Sequence, residues 1–138
     1  MPPNGKEKHL HENCFACGSN NGAGLRLEFD EKDDGSVVGY FTADLRFEGY
    51  PGIVHGGIIA TLLDSTMSHC LFKKGIMPLT GRLSIRYSCP IRVGTVVKLE
   101  GRIRKRVHKV FFLEAGAFVD GEKTAYAEGR YMLRGEAG

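Results

Sequence analysis

Only one stretch of this chain has helical periodicity, GGIIATLLDSTMSHCLF (56–72), and every other patterned segment alternates like a strand. Leu25, Leu27 and Phe29 oppose Arg26, Glu28 and Asp30, which predicts a strand over 24–30. The EKDDG cluster (31–35) is a turn, and SVVGYFTA (36–43) is the returning strand. After the helix, Lys73 and Lys74 suit the carbonyl end of the dipole, and Gly75 suits a stop. Strands are then predicted over 79–88, 95–107, 109–120 and 122–134, with DGEK a tight hairpin signal between the last two. Short links make those strands antiparallel neighbours. Such a sheet needs one face covered, and a single helix is available to cover it. The expected architecture is α+β, a six-stranded antiparallel sheet wrapped around one long central helix.

A chain of 138 residues can bury a full core in one domain, expected over 14–138 behind a polar, mobile tail over 1–13. Its net charge of +3 is too small to argue for nucleic acid, but suits an anionic small molecule if the basic residues cluster. No run approaches the length of a membrane span, and MPPNGKEKHLHEN lacks the apolar centre of an export leader. No membrane partner is therefore expected, and the cytoplasm, with reduced thiols, is the expected setting.

On a helical wheel Ile58, Ile59, Leu62, Leu63, Met67, Cys70 and Leu71 gather on one broad side. Gly57, Thr61, Asp64 and Ser68 recur at spacings of four, three and four, which makes one narrow polar seam. That seam is either a plain solvated face or the wall of a cleft. It carries no Lys, Arg or Glu, which a solvated helix face normally would. A carboxylate on so apolar a helix costs desolvation, which marks Asp64 as a candidate for chemistry. Gly57 lies in the first turn, where backbone N–H groups lack intrahelical partners and the dipole is positive. Without a side chain it admits a ligand oxygen, as an oxyanion donor must. Equally, the two glycines permit a sharp turn from loop into helix. Seven residues at about 1.5 Å each separate Gly57 from Asp64 by roughly 10 Å along the axis. One helix therefore cannot bring both to one carbonyl, and a site using both needs a second copy of the chain.

Four motifs occur in order: CFACG-x-x-x-x-x-GL (14–25), GYPG (49–52), IVHGGIIATLLD (53–64), and the Tyr-x-x-Pro-x-x-x-Gly of YSCPIRVG (87–94). Together they resemble hotdog-fold acyl-CoA thioesterases of the phenylacetate-pathway type, from about Cys14 to about Tyr131. The resemblance implies the hotdog fold, an acyl-CoA substrate, no cofactor, and subunits paired through a continuous double sheet as dimers or tetramers. It implies active sites at the subunit junction. It matches Asp64 to the family's catalytic acid, which activates water or attacks the thioester. Gly57 or its neighbour Gly56 matches the oxyanion N–H, and His55 the motif histidine near the thioester. Thr80 falls where related enzymes place a Ser or Thr that positions the water. One departure stands out: several relatives carry Asn or Gln six residues before the motif histidine, and here that position is Gly49, beside Glu48. A hotdog hydratase or dehydratase, and a non-catalytic acyl-CoA binding or sensing domain, are the competing functions. The first needs a paired His and carboxylate, and His55 and Asp64 are far apart on one helix.

Arg102, Arg104, Lys105, Arg106, His108 and Lys109 form the one dense basic run. Coenzyme A phosphates need such groups near a pocket mouth, although a solvated hairpin end reads the same way. Tyr50, Phe47 and Phe72 are candidates to line an acyl pocket, or are plain core. His69, late in the helix, reads as structural. Cys14-x-x-Cys17 with His9 and His11 has half the spacing of a zinc knuckle, but no second pair follows, so no metal is expected. Without a βαβ setting, a redox role for that pair is not expected either.

Overall fold

Helix α1 (Gly56–Phe72) touches all six strands of one antiparallel sheet. The computed structural model describes residues 11–133, and the strands are β1 (Phe29–Glu31), β2 (Val37–Thr42), β3 (Pro78–Tyr87), β4 (Val96–Val107), β5 (Val110–Val119) and β6 (Glu122–Leu133). Their spatial order is β1-β2-β4-β5-β6-β3. The chain leaves β2, runs through α1, and re-enters the sheet at its far edge, so β3 is paired on one side only, by β6.

The helix sinks deeply because both partners allow it. Leu62, Leu63, Met67, Cys70 and Leu71 are buried to within 1 % of full exclusion, the apolar side expected from the wheel. Beneath them Ala115 faces Ala127 and Ala117 faces Ala125 across β5 and β6, a low patch that lets the helix approach. On β4, a Cβ at Gly101 would lie 2.8 Å from the Thr66 methyl, so the bare backbone is what the helix rests on there. Ser65, Thr66 and His69 are buried as well, beyond the apolar set that periodicity marked.

Two departures from simple alternation shape the sheet. The strand expected over 24–30 is a ladder only over Phe29–Glu31, because Arg26 adopts a left-handed φ of 53° and breaks the extended run. Leu25 and Leu27 are buried all the same, their N–H groups donating to the carbonyls of Phe15 and Ala16. Irregularities in register also fall between Thr80 and Arg82 and between Ile103 and Lys105, each inserting an unpaired residue. The DGEK turn has φ of 50° at Asp120 and 82° at Gly121, the left-handed pair that a tight hairpin requires.

Candidate active site

Asp64 is half-buried where α1 crosses β3 and β6, and so are Thr61 and Ser68 on the same seam. Those three positions are thus partly covered, while Gly57 at the helix start is exposed. Thr80 and Tyr131 are direct cross-strand partners on β3 and β6, which sets two hydroxyls side by side over the carboxylate. Tyr131 donates to Asp64 Oδ1 at 2.7 Å and Thr80 donates to the same oxygen at 2.9 Å. The Tyr131 ring is fully buried. It lies where a Cβ at Gly129 would approach to 2.5 Å, so this glycine is the space the ring occupies. Burial and the adjacent Asp64 charge push the Tyr131 phenol well above a tyrosine's ordinary value, so the hydroxyl remains a donor. The same hydroxyl also lies 3.3 Å from the Asp64 carbonyl oxygen.

The helix start is organised by His55. It is the N-cap, and its Nδ1 accepts the Gly57 N–H at 2.8 Å. Its carbonyl accepts the N–H groups of Ile58 and Ile59. Gly56 is different: no described group accepts its N–H, while its carbonyl accepts the Tyr87 hydroxyl at 2.8 Å. A groove of about 720 Å³ opens here, with Tyr50, His55, Gly56, Ile59, Tyr87 and Pro90 among its walls. Tyr50 stands on it with 82 % of its surface exposed. Glu48 also faces the groove, and its carboxylate accepts the Gly52 N–H at 2.7 Å, bracing the GYPG turn. At Gly49 a Cβ would lie 3.1 Å from His55 Cα, so the present backbone leaves little room for the amide side chain found there in relatives.

Other candidates are placed elsewhere. Phe72 lies at the opposite end of α1 from the groove, stacked on His11 with centroids 4.7 Å apart. Phe47 is buried core beside Phe41. Arg102 and Arg104 pair with Glu114, and Arg104 also reaches Glu128. The irregularity at Ile103–Lys105 changes the parity of β4, and Arg106 lies over the inward-facing Phe111 ring, 4.8 Å from its centroid. The three arginines therefore do not share one face, as their i, i+2 spacing implies. Cys17 Sγ lies 3.6 Å from His11 Nδ1, and burial pushes its thiol up to about 12. His9 lies outside the described residues, among which no group of three His, Cys, Asp or Glu is arranged to hold a metal. No described helix is long and apolar enough to cross a membrane.

Tyr131 is the residue that periodicity and motif spacing do not single out. Its partner Asp64 is 67 positions away, and the packing of α1 against β6 brings them together, while the pairing of β3 with β6 adds Thr80 beside them.

Comparison with known proteins bears on this geometry. Residues 51–126 match the thioesterase superfamily. The acyl-coenzyme A thioesterase THEM4 of Rattus norvegicus is 34 % identical over 100 residues, covering 72 % of this chain and 43 % of the relative. The chain spans about half the length of such relatives. Among solved structures, the E. coli PaaI protein from the phenylacetic acid degradation operon superposes with a TM-score of 0.78 at 16 % identity, covering 94 % of this chain and 92 % of that one. A thioesterase protein of Streptococcus pneumoniae TIGR4, solved with coenzyme A, gives 0.73 at 21 % identity, covering 79 % and 89 %. The hotdog fold expected from the motifs is the fold these structures share.

Proposed function

The chain belongs to the thioesterase superfamily, and on that premise we propose that it hydrolyses an acyl-coenzyme A thioester to a free acid and coenzyme A. The observation that carries this is the half-buried Asp64 carboxylate, held by two hydroxyls on a helix seam otherwise free of charge. Relatives named acyl-coenzyme A thioesterases, and a neighbour solved with coenzyme A, support the substrate class.

The reaction needs an electrophile polarised on one side and a base on the other. The Gly56 N–H, unengaged at the positive end of α1, is the oxyanion donor in this proposal, since the Gly57 N–H is taken by its own cap. Asp64 takes a proton from water as the water oxygen bonds to the thioester carbon. The C–S bond then breaks, and the proton passes to the leaving sulfur. Attack by Asp64 itself breaks the C–S bond, releasing coenzyme A as the thiolate and leaving a mixed anhydride. Water then adds to the anhydride, giving the free acid and the Asp64 carboxylate, and the proton released goes to the thiolate. Both routes use the same ionised group. His55 Nδ1 is occupied as the cap that accepts the Gly57 N–H.

A second copy supplies the missing half of the site. Thr80, bonded to Asp64, lies near the start of β3, and Tyr87, bonded to Gly56, ends it. Antiparallel pairing of two β3 edges sets start against end, so Asp64 of one copy comes beside Gly56 of the other. In that arrangement Tyr50 and the groove at the helix start receive the thioester arm. Arg102, Arg104 and Arg106 are the candidates for the coenzyme A phosphates. All four cysteines are free thiols, which suits the proposed cytoplasmic setting. Hydrolysis screened over short, long and aromatic acyl-CoAs tests the proposal, and no turnover of any of them refutes it.

A further inference from the structure

Every hydrogen bond that a described residue donates to the Asp64 carboxylate falls on one oxygen. Oδ1 accepts from Tyr131 and Thr80, and none reaches Oδ2. We infer that Tyr131 is a positioning residue for the hydrolysis: with Thr80 it pins Oδ1 and leaves Oδ2 as the reacting oxygen, an inference that rests on Asp64 being the reacting carboxylate.

A carboxylate turns about its last torsion with broad, two-fold freedom, so an unheld Asp64 would present either oxygen over a range of angles. Two donors from adjacent strands remove that freedom. They are not equivalent. Thr80 is exposed, and water can stand in for its hydroxyl. Tyr131 is fully excluded from solvent, so nothing replaces its hydroxyl if it is lost. Burying a phenol oxygen costs free energy unless it is bonded, and phenylalanine would fill the same space without that cost. The chain has also given up a side chain at Gly129, where a Cβ would meet both the Tyr131 ring and Met67.

The test is steady-state hydrolysis of an accepted acyl-CoA by Tyr131→Phe, Thr80→Ala and the double variant, each compared at equal folded concentration. Tyr131→Phe keeps the packing and removes one oxygen, and is expected to lower kcat at least about tenfold with KM within about twofold, the pattern of lost orientation rather than lost binding. Thr80→Ala costs less. In the double variant the loss departs from the product of the singles, because both act on one oxygen. If Tyr131→Phe folds poorly, Gly129→Ala gives a second route, because it retains the hydroxyl but displaces the ring, and a similar kcat loss is expected. Wild-type kcat in Tyr131→Phe with only a lowered Tm makes the residue structural and overturns the inference. Wild-type kcat in Asp64→Asn overturns instead the underlying chemistry, so the two failures are distinguishable.

Discussion

His55 caps the helix that it introduces, its Nδ1 accepting the Gly57 N–H at 2.8 Å. The cap spends one of the helix's unpaired donors and leaves the Gly56 N–H beside the groove. Which of two adjacent glycines can meet an oxyanion is therefore decided by a side chain two residues away.

Gly56→Pro tests that assignment. Gly56 is the first residue of α1, a position that proline favours, and the preceding His55 at φ −59° and ψ 134° already has the backbone a following proline requires. The variant removes one N–H and is expected to fold. It should lose about a hundredfold or more in kcat, the scale for deleting an oxyanion donor. A kcat near wild type moves the donor elsewhere.

Asp64→Asn keeps both hydroxyl bonds possible at Oδ1 but removes the base. It should lower kcat at least about a hundredfold with little change in Tm. Mixing it with Gly56→Pro probes the second copy: heterodimers contain one site with neither change, so activity should recover to about a quarter of wild type. No recovery after subunit exchange, or a monomer in light scattering at micromolar concentration, would remove the shared site.

If the arginines hold coenzyme A phosphates, replacing each by Ala should raise KM and leave kcat nearly constant, because phosphate contacts are equal in ground and transition states. Arg106, which is not tied to Glu114, is expected to show the largest rise. An unchanged KM in all three places the nucleotide elsewhere.

Acid should weaken the fold through His69. Burial holds its imidazole down to about 3, and His11 and Lys73 push the same way. Its ring packs on Phe29, Phe72 and His11, and its Nε2 has no partner among the described residues. A cation near a helix C-terminus is ordinarily favoured, but that gain is smaller than the cost of desolvation here. The unfolded chain takes up this proton below about 6.5 while the folded chain refuses it, so the contribution is complete above that pH and is lost as pH falls toward 3. About 2 kcal/mol should be gone by pH 5. Denaturant titrations at pH 7.5 and 5 check this, and His69→Leu should lose that portion of the acid dependence. The same pH dependence in wild type and His69→Leu would assign it to other groups.

The sequence by itself determined the elements and their faces. A 3.6-residue period followed by two lysines and a glycine marks α1 at Gly56–Phe72, and two-residue alternation marks the strands, because both are local properties of side chains along the backbone. The isolated carboxylate on the seam is local in the same sense, and so is the argument that Gly57 and Asp64 are too far apart to act together within one chain. Tertiary structure decided what surrounds Asp64. Strand register is set by pairing between distant segments, and one unpaired residue in a strand reverses the parity of all that follow. Hence Arg106 lies apart from Arg102 and Arg104, and Tyr131 reaches Asp64 across 67 positions, while the left-handed backbone at Arg26 cuts the 24–30 alternation to a short ladder. Such relationships leave no periodic trace in the sequence, since they arise only when distant strands pair and pack under the helix.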